Sequence, residues 1–182
     1  MNVTYVTGNP RKAAYFSKLI GHDVPHQHVN VPEIQSLSLR EVVTEKAKAA
    51  YAEVGAPVIV EDTMLMIHCM GQLPGTFIRW FLEEMSLEAI CRLADADPQR
   101  RATAAATFAY YDGKRAVLFE GGKKGCIAAH PKGDEGFGWN PLFIPDGETL
   151  TLGEMDAERF ERNYQVIKNF GAVKEFLDNL EA

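Results

Sequence analysis

The stretch from Ser38 to Glu61 limits the possible folds more than any other part of the chain. Leu39, Val42, Val43, Ala47, Ala50 and Val54 recur at helical spacing. Ser38 can cap the start of this helix, and Glu41, three residues on, completes a capping box. Gly55 and Pro57 end it. Pro57 to Glu61 then reads as a short buried strand, Val-Ile-Val ahead of an acidic pair, with Met64 to Cys69 as another.

The same alternation opens the chain. Asn2 to Val6 is predicted as a strand, Thr7-Gly8-Asn9-Pro10 breaks it, and Arg11 to Ile20 is predicted as a helix. Val24 to Val31 alternates and suggests a second strand. Thr76 to Met85 and Ser86 to Ala94 are predicted helices, with Ser86 capping the second. Ala102 to Tyr111 and Ala116 to Glu120 flank Asp112-Gly113, a hairpin signal. Gly121 to Ala129 can extend the sheet, and Pro145-Asp146-Gly147 turns again. Glu158 to Leu180 is predicted largely helical, weakened at Gly171. Alternating helices and strands followed by a run of strands give an α/β domain with a mixed sheet, with room for a small lobe beside it. Residues 1–182 are expected to form a single domain.

A net charge of −6 argues against nucleic-acid polymers and membranes as partners, since both polyanions are repelled on average. Cys69, Cys91 and Cys126 lack short CxxC spacing and read as buried small hydrophobes in a reducing compartment. No basic-then-apolar leader is evident and apolar runs are too short to span a bilayer, so a cytoplasmic location is expected.

Four segments can carry chemistry. Thr7-Gly8-Asn9-Pro10-Arg11-Lys12 lies where a strand gives way to a helix. Gly8 permits close backbone approach, the helix start attracts anions, and Lys12 adds a mobile charge. This is a triphosphate cradle or merely a tight turn; it is not a P-loop. Glu61-Asp62-Thr63 follows a buried strand, where two acids call for a compensating cation such as hydrated magnesium; otherwise the segment is a solvated turn. Leu73 to Phe81 is a glycine loop entering an aromatic helix, alone more often core than site. Gly136-Phe137-Gly138-Trp139-Asn140 interleaves glycines and aromatics, suiting either stacking on a base or a plug over the core.

Taken together and in order, these segments resemble the inosine triphosphate pyrophosphatase family, also called Ham1-like. TGNPRK looks like the family's TGNxxK, VEDTMLMIHCMGQLPGTFIRWF resembles VEDTxLxxxALxGLPGxYIKWF, and GFGWNPLFIPDG resembles GFGWDPxFxPDG. LGEMDAERFERN looks like the segment that follows it, so the likeness runs from Thr7 to about Phe176. The resemblance implies an elongated α/β protein with two lobes, a mixed sheet flanked by helices and a central cleft. It further implies a homodimer and magnesium-dependent cleavage of nucleoside triphosphates, inosine and xanthosine forms included, to monophosphate and pyrophosphate.

Carried over by position, Thr7, Gly8, Asn9, Lys12 and Lys46 would hold the phosphates, and Glu33 and Asp62, supported by Glu61, would bind magnesium. Asp62 would activate water, with Lys12 and Lys46 neutralising charge. Phe137, Trp139, Asn140, Arg162 and Lys168 would complete substrate binding. The chain departs from the pattern at the base. Val166, Ile167 and Lys168 stand where the family has Ser-His-Arg, and Asn140 replaces an acid. Altered base preference is therefore expected, and a non-catalytic nucleotide sensor of the same fold is the alternative.

Among other features, His22, His26 and His28 read as surface histidines and His68 as a packed core residue. Gly121 to Gly125 reads as a mobile turn.

Overall fold

The computed structural model describes residues 3–21, 23–134 and 138–181. β1 (Thr4–Val6) leads into α1 (Pro10–Ile20). Pro10 opens that helix, where its missing N–H leaves nothing unpaired, and Asn9 caps it, its Oδ1 accepting from the Lys12 amide at 3.3 Å. β2 is only His26–Gln27, much shorter than Val24 to Val31 suggested. It lies parallel to β1, with Tyr5 opposite His26. Of residues 24–31 only Val24 is fully buried, and Val29 and Val31 are partly buried against the core cluster without extending the strand.

α2 (Leu39–Val54) starts and stops as its sequence indicates. Ser38 Oγ accepts from the Glu41 amide at 3.3 Å, and Gly55 closes the helix at φ 70°. The capping box is half formed. The Glu41 carboxylate takes the Ser36 hydroxyl instead, and Ser36 Oγ accepts the Ser38 amide.

β3 (Val58–Ile67) is one continuous ten-residue strand. It absorbs both predicted strands and the acidic segment between them, which excludes the alternative of a solvated turn there. A turn of 3₁₀ helix (His68–Met70) follows, and β4 (Pro74–Gly75) returns antiparallel, with Leu65 opposite Gly75. α3 (Ile78–Glu84) and α4 (Leu87–Arg92) come next, the latter capped by Ser86.

β5 (Arg101–Tyr111) and β6 (Ala116–Ile127) are adjacent strands joined at Asp112-Gly113. Asp112 Oδ1 holds the amides of Lys114 and Arg115 at 2.9 Å each. β6 contains Gly121 to Gly125, so that segment is strand and not a mobile turn. Gly125 makes this possible, because a Cβ there would come within 2.2 Å of the Ile144 carbonyl oxygen on the next strand. That strand is β7 (Phe143–Pro145), antiparallel to β6. α5 (Ala157–Lys168) and α6 (Phe170–Glu181) replace the single predicted C-terminal helix. The break falls at Asn169, φ 50°, not at Gly171; Asn tolerates the left-handed region, and its side chain donates to the Glu120 carbonyl.

The sheet runs β2-β1-β3-β5-β6-β7, with β4 on β3, and mixes parallel and antiparallel pairs. The chain divides into two compact units. The first comprises residues 1–62, 106–120 and 168–182; the second, 63–105 and 121–167. In the first unit, Val43, Ala47 and Ala50 of α2 pack with Val6, Val58, Val60 and Ala109. Tyr5, Phe16, Phe108 and Phe170 form an aromatic cluster, Tyr5 stacked on Phe16 at 4.4 Å. In the second unit, the Arg100 guanidinium donates to the carbonyls of Cys91, Ile127 and Ala128, tying the end of α4 to the end of β6. No helix among the described residues is long and apolar enough to cross a membrane.

Loss of the Ser38 hydroxyl would leave the Glu41 amide without its cap. Ser38→Ala is expected to cost about 1 kcal/mol, read as a lower urea midpoint at unchanged m-value.

Candidate active site

Successive side chains of a strand project to opposite faces of its sheet. Along β3, Ile59 and Glu61 share one face, while Val58, Val60 and Asp62 share the other. Tyr5 lies opposite Ile59 in the parallel register, which puts its ring on the Glu61 side. Its hydroxyl donates to Glu61 Oε2 at 3.1 Å. Glu61 Oε1 accepts from Lys12 Nζ of α1 at 3.1 Å and from Lys168 Nζ at the end of α5. Exposure separates the two lysines: the side chain of Lys168 is 2% exposed, that of Lys12 31%, and that of Glu61 5%. Burial alone would push the Glu61 carboxyl up. The two ammonium groups and their hydrogen bonds outweigh it and hold the group well below the ordinary carboxylate range.

The opposite face is built on α2. Lys46, three residues beyond the packed Val43, pairs with Glu33 Oε1 at 2.7 Å and with Asp62 Oδ2 at 3.6 Å. Burial lowers its pKa, but Asp62 and Glu33, with Glu61 beyond them, raise it above the ordinary lysine value. The two carboxylates gathered on Lys46 suit a hard divalent cation of the magnesium type, which accepts one or two such ligands and completes its shell with water and phosphate oxygens. Among the described residues no group of three or more His, Cys, Asp or Glu is set to hold a metal. The adjacent acids Glu61 and Asp62 form their ion pairs with different lysines.

Thr7, Gly8 and Asn9 form the turn into α1, with Thr7 Oγ1 accepting from the Asn9 amide at 3.2 Å. The His28 ring approaches Gly8 so closely that a Cβ there would lie 2.9 Å from its Cδ2.

The remaining expected site residues belong to the second unit, except Phe137, which lies outside the described residues, as does His22. Trp139 is 7% exposed and meets Phe143 edge-on, so it takes the place of a core plug and not of an exposed stacking platform. Asn140 is 2% exposed, and its Nδ2 has no hydrogen-bond partner among the described residues. Arg162 is solvent-exposed, 4.0 Å from Glu158. Val166 is exposed and Ile167 buried. Lys123 donates to Asn163, whose amide in turn donates to Glu148.

His68 is exposed and bonded to Thr103 Oγ1 at 2.9 Å, contrary to the core position expected, because the chain leaves β3 at Ile67. His26 and His28 are exposed, as expected. All three cysteines are free, but only Cys91 is buried.

Residues 3–176 match the Ham1 family. The chain belongs to the Ham1 family. It is 38% identical to a protein named inosine triphosphate pyrophosphatase from Schizosaccharomyces pombe, over 98% of this chain and 96% of that one. It is 35% identical to a dITP/XTP pyrophosphatase from Methanopyrus kandleri, over 87% and 86%. The solved structure of the Staphylococcus aureus Ham1 protein superposes with a TM-score of 0.81 at 21% identity, covering 97% of this chain and 98% of that one, and shares the fold.

In this Ham1-family chain, sequence reasoning missed Tyr5 and the bond between Glu61 and Lys168. A tyrosine in a strand carries no sign of which acid it will meet until the register of β1 on β3 is known.

Because the folded-state pKa of Lys46 is raised, its stabilisation is complete below the unfolded lysine value of about 10.4 and is lost as pH rises through the folded value. The stability gap between wild type and Lys46→Met, measured by denaturation at a series of pH values, is therefore expected to be constant from neutral to mildly alkaline pH, where the carboxylate partners are ionised. It should shrink only in the strongly alkaline range.

Proposed function

We propose that this chain hydrolyses nucleoside triphosphates to monophosphate and pyrophosphate, with inosine, xanthosine and related purine nucleotides as the substrate class. The observation that carries the reading is the pair of clusters on β3: Lys12 held by Glu61, and Lys46 held by Glu33 and Asp62, one on either face of a single strand. Membership in the Ham1 family and the names of the relatives support it.

A triphosphate carries roughly four negative charges, which repel an attacking water, so the site must neutralise them. Lys12 and Lys46 bind phosphate oxygens, helped by the amides at the start of α1 and by the Thr7–Asn9 turn. Glu33 and Asp62 are the residues that would hold magnesium, which, when bound, supplies further charge neutralisation of the phosphates. Asp62 orients the water and takes its proton. The protein acts as a homodimer in the cytoplasm; the three free cysteines suit a reducing compartment.

The test is a panel of ribo- and deoxynucleoside triphosphates with magnesium, separating pyrophosphate from phosphate release. Pyrophosphate release from at least one purine nucleotide is expected, and the profile across the panel reads base choice. Binding without turnover of any member would instead favour a nucleotide sensor. Asp62→Asn is expected to lower kcat by at least about a hundredfold while nucleotide binding, followed by calorimetry, survives; retained turnover would remove Asp62 from its role.

A further inference from the structure

We propose that Glu61 and Lys168 are positioning residues, a buried ion pair that keeps Glu61 from fully neutralising Lys12 and so leaves Lys12 cationic toward the phosphates. The inference rests on the reading of Lys12 as a phosphate ligand. It assigns Glu61 a role other than metal binding and Lys168 a role other than direct substrate contact.

The geometry carries this. Both oxygens of Glu61 are engaged, Oε1 by two ammonium groups and Oε2 by the Tyr5 hydroxyl. One carboxylate shared by two lysines gives these three side chains a summed charge of +1. That surplus is not spread evenly. Lys168 is sealed from solvent, and a ligand arriving from water meets Lys12, which stands at the start of α1 beside the Thr7–Asn9 turn. Without Lys168, Glu61 would neutralise Lys12 outright. Without Glu61, two lysines would repel each other, and one of them would be a buried charge lacking its carboxylate, a costly arrangement. Lys168 thus tunes the phosphate site through Glu61 without touching the ligand.

Charge arithmetic makes the idea testable. Lys168→Met brings the cluster to zero. The double variant Glu61→Gln with Lys168→Met returns it to +1, all on Lys12. Binding of inorganic tripolyphosphate, measured by calorimetry without divalent metal, isolates phosphate recognition from base recognition and from turnover. Lys168→Met is expected to weaken binding on the order of tenfold, the effect of one unit charge at short range in a partly wet site. The double variant should recover to within about threefold of wild type.

A Lys168→Met protein that binds tripolyphosphate as tightly as wild type would overturn the inference. So would a double variant that stays as weak as the single, because burial alone would then explain the loss. Should Lys168→Met not fold, Lys168→Gln, which brings the three side chains to the same zero charge with a polar group in place, takes its part: weaker tripolyphosphate binding than wild type is expected, and unchanged binding would overturn the inference. Absence of tripolyphosphate binding by wild type itself would instead overturn the phosphate role of Lys12, and the inference would fall with it.

Discussion

β3 sends alternate side chains to opposite faces of its sheet, and the chemistry of the first unit is arranged around that alternation. Val58 and Val60 face α2 and anchor it by apolar contact. Ile59 faces the side of Tyr5. When the strand reaches Glu61 and Asp62, the same alternation hands one acid to Lys12 and Lys168 and the other to Lys46. A one-residue slip of β3 would exchange the two acids and would also turn the valines away from α2. The hydrophobic packing that fixes the register is therefore also what assigns each carboxylate its partner.

The two clusters differ in their degree of burial. Glu61 is nearly sealed, and a carboxylate there is tolerable only because three donors engage it. Asp62 and Glu33 are partly exposed and both pair with Lys46, which suits groups that must exchange partners when a cation and a phosphate arrive. A saturated carboxylate holds geometry; a partly exposed one can reach water. The opposed directions of the shifts at Glu61 and Lys46, the acid pushed down and the base pushed up, are two views of the same rule that a desolvated charge persists beside its opposite.

Much of this was legible in the residues. The capped helix over Leu39–Val54, the strand-turn-helix opening and the Asp112-Gly113 hairpin all follow from local chemistry and appear where expected. The turn left as an alternative at Glu61-Asp62-Thr63 and the turn read at Gly121 to Gly125 fail for one cause: both segments look like turns because they are polar or flexible, yet both lie within strands. In the first case lysines distant in sequence compensate the acids; in the second the neighbouring strand needs glycine for its close approach. The break in the C-terminal helical region fell at Asn169 and not at Gly171, since what mattered was a left-handed residue with a carbonyl to reach.

The sequence by itself determined the elements, their caps and the kinds of residue available for phosphate and metal chemistry, because those depend on neighbours a few positions apart. Only the tertiary structure decided who meets whom. Glu61 and Lys168 lie 107 positions apart and Tyr5 and Glu61 lie 56 apart. Strand register and the burial of Lys168 join them, and neither is written in any local stretch of the chain. The physical reason is that the strength of an ion pair depends on how much water surrounds it, and that is a property of the packed protein.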